Sequence, residues 1–271
     1  MSIFSNKNER YTEKRLKKVN KENKEKRLNS RKEYLLSKDT PFDVTESFRN
    51  LKASLSVSVA KTSDKGVAVM ATSSFPEEGK TTVITNLALM FAQSDAKVVL
   101  VDADIRKGRV HKYFREHSTP GLSDYLSGQA TLDEVLRQTD ENENLYFLPC
   151  GTHSPRPYEI LESGRMKELV EKLREKFDYV IFDTPPILVV PDALALAPFT
   201  DGTVLVCRHM TSYVSDIGKS LGTLAFAKVN VLGMIVNDFK MPNGKIYKGY
   251  KNYHHYYSYG YAPRPTTDDK K

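Results

Sequence analysis

Six short runs dense in Val, Ile and Leu recur along the middle of the chain, and stretches of helical periodicity separate most of them. The runs cover residues 66–72, 97–104, 145–149, 178–183, 202–208 and 231–237. Short continuous apolar runs are what strands buried on both faces require. The helical stretches cover residues 80–94, 159–177, 192–198 and 213–228. Repeated β-then-α order predicts an α/β fold, a doubly wound and mostly parallel sheet flanked by helices. Such sheets bind ligands at the C-terminal ends of their strands. One more helix is expected over residues 43–60, with Phe48, Leu51 and Leu55 on one face.

The first run leads into SFPEEGKTT, residues 74–82, and then directly into a helical pattern. Gly79, Lys80 and Thr81 match the G-K-[ST] end of a P-loop, with Ser74 where the template has its first Gly. In a strand–loop–helix setting, loop N–H groups and the helix dipole favour an anion. Lys80 is placed to reach the β- and γ-phosphates, and the Thr81 hydroxyl to bind Mg²⁺. Ser74, Glu78, Gly79, Lys80, Thr81 and Thr82 are therefore the expected nucleotide contacts. The alternative is a glycine-containing turn carrying a solvated lysine.

Carboxylates end two further runs. VVLVDADIR places Asp102 and Asp104 at the tip of the second, on the same side by strand alternation. YVIFDTPP places Asp183 at the tip of the fourth. A carboxylate ending a buried strand is costly to leave unpaired. Mg²⁺ relieves that cost and takes only one or two protein carboxylates. Thr81, Asp102 and Asp183 are the expected metal residues. Lys80, Asp102, Asp104 and Asp183 together are expected to form a nucleotide-dependent site.

The charge is confined to one end. Of the +7 formal charge on 271 residues, residues 1–40 carry all, with 13 Lys+Arg against 6 Asp+Glu. The remaining residues hold 28 of each sign. Residues 1–40 read as a solvated, disordered basic arm or a polybasic segment resting on anionic lipid. The neutral body carries no nucleic-acid module, so nucleic acid is not an expected partner. From Met241 onward the chain turns to Tyr, Gly, Lys, Asn and His. It holds seven of the 15 tyrosines: Tyr247, Tyr250, Tyr253, Tyr256, Tyr257, Tyr259 and Tyr261. Glycines and prolines among them argue against helix, so residues 241–271 form an expected flexible tail behind a domain at 41–240. Two cysteines without a C-x-x-C exclude zinc ribbons, disulfide scaffolds and dithiol motifs. No apolar run reaches the roughly 18 residues of a membrane span. No signal-peptide core is present at the N-terminus, so a reducing cytosol is the expected compartment.

With these motifs in place, the sequence resembles the bacterial tyrosine kinases of capsule and exopolysaccharide machinery, the BY-kinases. Residues 74–82, VVLVDADIR and YVIFDTPP look like that family's Walker A, Walker A′ and Walker B. The similarity runs from about Pro41 to Asn237 and includes GLSDYLSG (121–128), the segment at 155–161 and PDALALA (191–197). The terminal tyrosine cluster is a further hallmark. The resemblance implies ATP and Mg²⁺ as cofactors and phosphorylation of those tyrosines between neighbouring subunits of a ring-like homo-oligomer. It also implies a transmembrane activator of the polysaccharide copolymerase type, a cognate tyrosine phosphatase, and a cytoplasmic location peripheral to the membrane. It places Asp102 beside the metal and the incoming tyrosine hydroxyl, as base. Asp104 supports the metal shell or positions Asp102, and Arg106 stabilises phosphate charge or a subunit contact. Asn237 is a candidate adenine contact. Glu46, Arg49 and Lys52 occupy the family's subunit-packing positions, Lys52 replacing an arginine and its planar fork. Cys150 stands where the family often has alanine and receives no role.

Two rivals share the fold or the ligand. An ATPase switch of the MinD/ParA type carries a second loop lysine, and here that position is Phe75. A non-catalytic scaffold that binds ATP only to assemble would lack phosphotyrosine altogether.

Overall fold

Strand β1 (Val67–Ser73) is fully buried along its length, and the rest of the sheet is arranged around it. Its neighbours are β5 (Tyr179–Asp183) and β6 (Gly202–Arg208), both parallel to it. Beyond β5 lie β2 (Val98–Asp102), β4 (Leu145–Leu148) and β3 (Arg137–Gln138). Beyond β6 lies β7 (Val231–Asn237), giving the order β3-β4-β2-β5-β1-β6-β7. Only β3 runs antiparallel. This computed structural model describes residues 31–59 and 65–239. Residues 1–30 of the arm expected over 1–40, and all of the tail expected over 241–271, lie outside that description. The chain divides into one unit ending at Asp238 and another starting at Phe239. The first is described below.

The sheet buries both faces, as its apolar runs require. On one face, Val69, Ala71, Val98 and Leu100 pack with Ile84, Leu87 and Phe91 of a helix over Lys80–Ala92. On the other, Met70, Val99, Val101 and Phe182 meet Met166, Leu169, Val170 and Leu173. These four fall at helical spacing within Gly164–Lys176. The Ser163 hydroxyl accepts the Met166 N–H and starts that helix, while Arg174 and Lys176 sit in its last turn where the dipole favours cations. In order, the helices used below are α1 (Phe42–Ser58), α2 (Lys80–Ala92), α3 (Gly164–Lys176), α4 (Asp192–Leu196) and α5 (Val214–Phe226). Among the described residues, no helix is long and apolar enough to cross a membrane.

The expected six strands and the helix at 43–60 are present, and four details differ. The run at 231–237 is not buried on both faces. As β7 it forms an edge of the sheet, and Met234 and Val236 are each 50% exposed. The run at 97–104 stops being strand at Asp102, so Asp104 lies past the tip and not on the strand face that carries Asp102. The helix expected over 159–177 is interrupted at Ser163. Two-residue β3 was not expected, because so short an element has no periodicity to read.

Packing also starts ahead of Pro41. Leu35 is buried in the core. Asn86 of α2 fixes the segment, its amide donating 2.7 Å to the Tyr34 carbonyl and its oxygen accepting the Leu36 N–H at 2.7 Å. Asn86 is itself 2% exposed, so removing its amide leaves those groups without partners. Asn86→Ala should lower stability to urea by about 1–3 kcal/mol. It should also speed amide exchange at Leu36 selectively, and unchanged exchange there would show that the segment is held by other contacts.

Candidate active site

The parallel register fixes the site. Asp102 and Asp183 are Cα partners across β2 and β5, and Ala71 of β1 pairs with Asp183 from the other side. The loop leaving β1 therefore opens over the two strand-end carboxylates. In that loop Glu77 and Gly79 both have positive φ, at 69° and 85°. A Cβ on Gly79 would lie 1.9 Å from the Asn237 Nδ2, so glycine is required twice over, by conformation and by space.

The loop is held from behind. Glu78 is 3% exposed and its carboxylate accepts the Phe75 N–H at 3.0 Å and the Ser212 hydroxyl. The Asn237 amide donates to the Glu78 carbonyl at 3.0 Å. The Ser74 hydroxyl pairs with Ser220 of α5 at 2.8 Å. Ser74, Glu78 and Asn237 thus brace the loop with their side chains.

Lys80 and Thr81 do face the carboxylates. The Lys80 ammonium and the Thr81 hydroxyl both donate to Asp183, to its Oδ1 and Oδ2 respectively, the second at 2.7 Å. Asp102 is fully buried. Its Oδ2 accepts the Val110 N–H at 3.0 Å, and its Oδ1 has no hydrogen-bond partner. Burial first, and then the negative charge of Asp183, hold the Asp102 carboxyl well above the usual carboxylate range. Burial also raises Asp104, against the opposing pull of Lys80. Asp104 lies in the turn, accepting the Lys107 N–H at 2.9 Å.

A cleft of about 240 Å³ opens over these groups, lined by Lys80, Thr81, Thr82, Asp104 and the loop. Arg31, Lys107 and Arg109 add cations to its wall. The Thr82 hydroxyl bonds the Tyr113 hydroxyl at 2.6 Å, and Arg31 donates to that hydroxyl at 3.3 Å. Neither Arg31 nor Tyr113 stood out in the sequence. Lys107 and Arg109 were not singled out either, although they closely follow the D-x-D motif in the sequence. Arg106, in contrast, is not among the residues that line the cleft. Its Nε and Nη2 grip the buried Asp192 of α4 at 2.7 and 3.0 Å. Glu46, Arg49 and Lys52 lie on α1. Arg49 pairs with Glu46 on its own helix, and the Lys52 ammonium reaches the Ser94 hydroxyl at 2.5 Å. The seven tail tyrosines lie outside the described residues.

The donor set suits a hard cation. Thr81 and Asp183 present oxygens side by side, and Asp102 holds one buried oxygen without a partner. Oxygen donors with little protein coordination are what Mg²⁺ accepts.

Comparison with known proteins is consistent with this geometry. Residues 78–216 match the family described as AAA domain. The tyrosine-protein kinase YwqD of Bacillus subtilis is 37% identical over 206 residues, 76% of this chain and 86% of that protein. The tyrosine-protein kinase ptk of Acinetobacter johnsonii is 35% identical over 195 residues, 72% of this chain. The chain spans only 26% of the Acinetobacter protein's length. Among solved structures, the kinase domain of Escherichia coli tyrosine kinase ETK superposes with a TM-score of 0.67 at 32% identity. That match covers 75% of this chain and 80% of the other. The cell division ATPase MinD of Pyrococcus furiosus gives 0.56 at 25% identity, covering 66% and 74%.

The raised Asp102 carboxyl has a stability consequence of definite sign. Between the unfolded carboxylate value and the raised folded value, the native state binds more protons than the unfolded one. Stability therefore falls as pH rises through that window. Asp102→Asn should be more stable than the parent at pH 7 without ligands. The difference should vanish near pH 4, below which both states are protonated. Urea melts at pH 4, 5.5 and 7 check this, and a pH-independent difference would contradict it.

Proposed function

The chain belongs to the bacterial tyrosine-kinase family, and from that membership we propose that it is an ATP-dependent protein-tyrosine autokinase. Its acceptors are the C-terminal tyrosines of a neighbouring subunit, and its modification regulates synthesis and export of a capsular or extracellular polysaccharide. The observation that carries the reading is the convergence of Lys80 and Thr81 on Asp183, with the partly unsatisfied Asp102 in register beside it. A carboxylate beside these three groups suits an incoming hydroxyl, and family membership favours that of a tyrosine over water.

In this reading the loop amides and Lys80 hold the ATP phosphates, with Arg31, Lys107 and Arg109 lending charge to the cleft. Thr81 and Asp183, with Asp102 adjacent, would hold Mg²⁺, which would supply charge neutralisation on the phosphates. A tyrosine oxygen bonds to the γ-phosphorus as the bond to the β–γ bridging oxygen breaks, and ADP leaves. The phenol, with a free pKa of about 10, releases its proton late in transfer. Asp102 accepts that proton. A carboxyl raised above its ordinary range is a stronger base than an exposed one once ionised. Arg106 contributes by fixing the D-x-D turn to α4. Asn237 contributes by holding the Glu78–Gly79 backbone.

The partners follow from the same reading: a transmembrane activator of the polysaccharide copolymerase type, a tyrosine phosphatase, and copies of this chain, packed through Glu46, Arg49 and Lys52 as a ring. The basic residues of the arm ahead of Arg31 would add contact with anionic lipid. Any flexible stretch of some 20 residues spans roughly 25 Å on average, so reach alone does not choose between a tail's own site and a neighbour's.

Incubation with ATP·Mg²⁺ and an activator fragment should yield phosphotyrosine mapping to residues 247–261. Asp102→Asn should abolish the label while nucleotide binding largely survives. Full labelling in that variant would remove Asp102 from the role of base. Mixing a Lys80→Met chain with a chain lacking residues 247–261 separates the two routes. Label on the Lys80→Met chain means transfer between subunits, and none means transfer within one.

Modification should also disperse the oligomer. Each phosphotyrosine adds about −1.5 to −2 charges, so seven would add roughly −10 to −14 against a total of +7. Light scattering should register a smaller particle after phosphorylation, and an unchanged mass would contradict the electrostatic switch.

A further inference from the structure

We propose that Asp102, His111 and Cys150 form a binding site for one zinc-class transition-metal ion, adjoining the transfer site and sharing Asp102 with it. The three residues come from separate segments: the tip of β2, the turn at Val110–Lys112, and the loop leaving β4. One ligand atom from each lies within 4.8 Å of the other two. The Val110 N–H bond to Asp102 Oδ2 ties the turn to the strand and so sets where His111 stands.

Three further observations point to a missing ligand. Asp102 Oδ1 and His111 Nδ1 are both buried without a hydrogen-bond partner. The Cys150 Sγ has only a 3.7 Å contact with the neighbouring Gly151 carbonyl. Space is left beside them because residue 108 has no side chain. A Cβ there would fall 2.6 Å from Asp102 Oδ2 and 2.7 Å from Cys150 Sγ. A glycine at that place keeps the approach to the carboxylate and the sulfur open.

The donor types select the ion. Oxygen, nitrogen and sulfur together suit Zn²⁺ or Co²⁺, whereas Mg²⁺ takes oxygen alone. Around a tetrahedral zinc, ligand atoms stand about 3.3–3.8 Å apart, so the cluster closes by roughly 1 Å on binding. Three protein ligands leave the fourth position to water. The carboxylate and imidazole coordinate through lone pairs. The thiol loses its proton to solvent as the metal–sulfur bond forms, so one Cys150 proton is released per ion bound. The regulatory consequence rests on the kinase reading: an occupied site removes Asp102 from the incoming hydroxyl, and the ion acts as an inhibitor.

The test uses the full chain without nucleotide, titrated anaerobically with Co²⁺. One equivalent should develop a thiolate-to-cobalt charge-transfer band that Zn²⁺ bleaches. The band reads the sulfur, so metal on tail residues His254 and His255 cannot imitate it. Cys207→Ser should retain the band. Cys150→Ser should lose it, and Cys150→Ser and His111→Asn should each bind zinc at least tenfold more weakly. No band in the parent, or a band that survives Cys150→Ser, overturns the site. Stoichiometric zinc loaded before excess ATP·Mg²⁺ should suppress autophosphorylation in the parent at least tenfold and leave Cys150→Ser active. Equal suppression of both overturns the inhibitory role while the cobalt result stands. A chain without kinase activity would fail the function reading and still report the band.

Discussion

Two buried carboxylates, Asp102 and Asp183, stand in register on adjacent strands, and one buried ammonium, Lys80, pairs with only one of them. The other features of the site follow from that imbalance. Asp183 is satisfied twice, by Lys80 and Thr81. Asp102 receives one backbone N–H and keeps an oxygen without a partner. Desolvating a charge without compensation is among the costliest acts in folding. The protein answers by raising the carboxyl well above the usual carboxylate range. A cation brought to the strand tips reverses that response, and nucleotide-borne Mg²⁺ is the cation the oxygen donors suit.

The loop above these carboxylates is rigid for reasons unrelated to phosphate. Glu78 turns inward to Phe75 and Ser212, Asn237 clamps the Glu78 carbonyl, and Ser74 leans on Ser220. These bonds run to β7, to α5 and to the turn before it. The shape of the phosphate cradle therefore depends on the β6–β7 end of the sheet, while its charges come from the β2–β5 side. Such division preorganises the donors before ligand arrives, which is where electrostatic catalysis gains most. It also means that a disturbance at the exposed edge strand β7 reaches the cradle through Asn237.

What could be read from the residues follows the same division. Lys80, Thr81 and Asp183 were legible because their chemistry is fixed by local order: a strand, a short loop, a helix start, and a second strand ending in a carboxylate. The β-then-α alternation was legible because parallel strands buried on both faces leave continuous apolar runs. Side-chain direction across the fold was not. Nothing in the order of residues says that Arg106 meets Asp192, 86 positions away, or that Asn237 reaches Glu78, 159 positions away. The end of β2 at Asp102 was hidden because ADI could continue a strand. The carbonyl of Asp183 takes the Ala103 N–H at 2.9 Å, and the chain then turns. Arg31 was hidden for another reason: it sits in a stretch whose charge resembles the arm before it, and only Leu35 and the Asn86 bonds show that the stretch is docked.

The imbalance also explains why ligand and fold are coupled here. A site whose charge is incomplete without ligand stores its deficit at the strand tips, next to the core of the sheet. Any species that supplies the missing charge binds the native state and not the unfolded chain. At a hundred times its dissociation constant, it adds about 2.7 kcal/mol to stability. For a domain whose total margin is on the order of 10 kcal/mol, that is a large share. In the two proposals Asp102 serves every candidate species: the nucleotide's magnesium, the hydroxyl to be phosphorylated, and an ion shared with His111 and Cys150. One carboxylate cannot satisfy a softer ion on one side and accept a proton from tyrosine on the other. Competition for that single group is therefore built into the strand register.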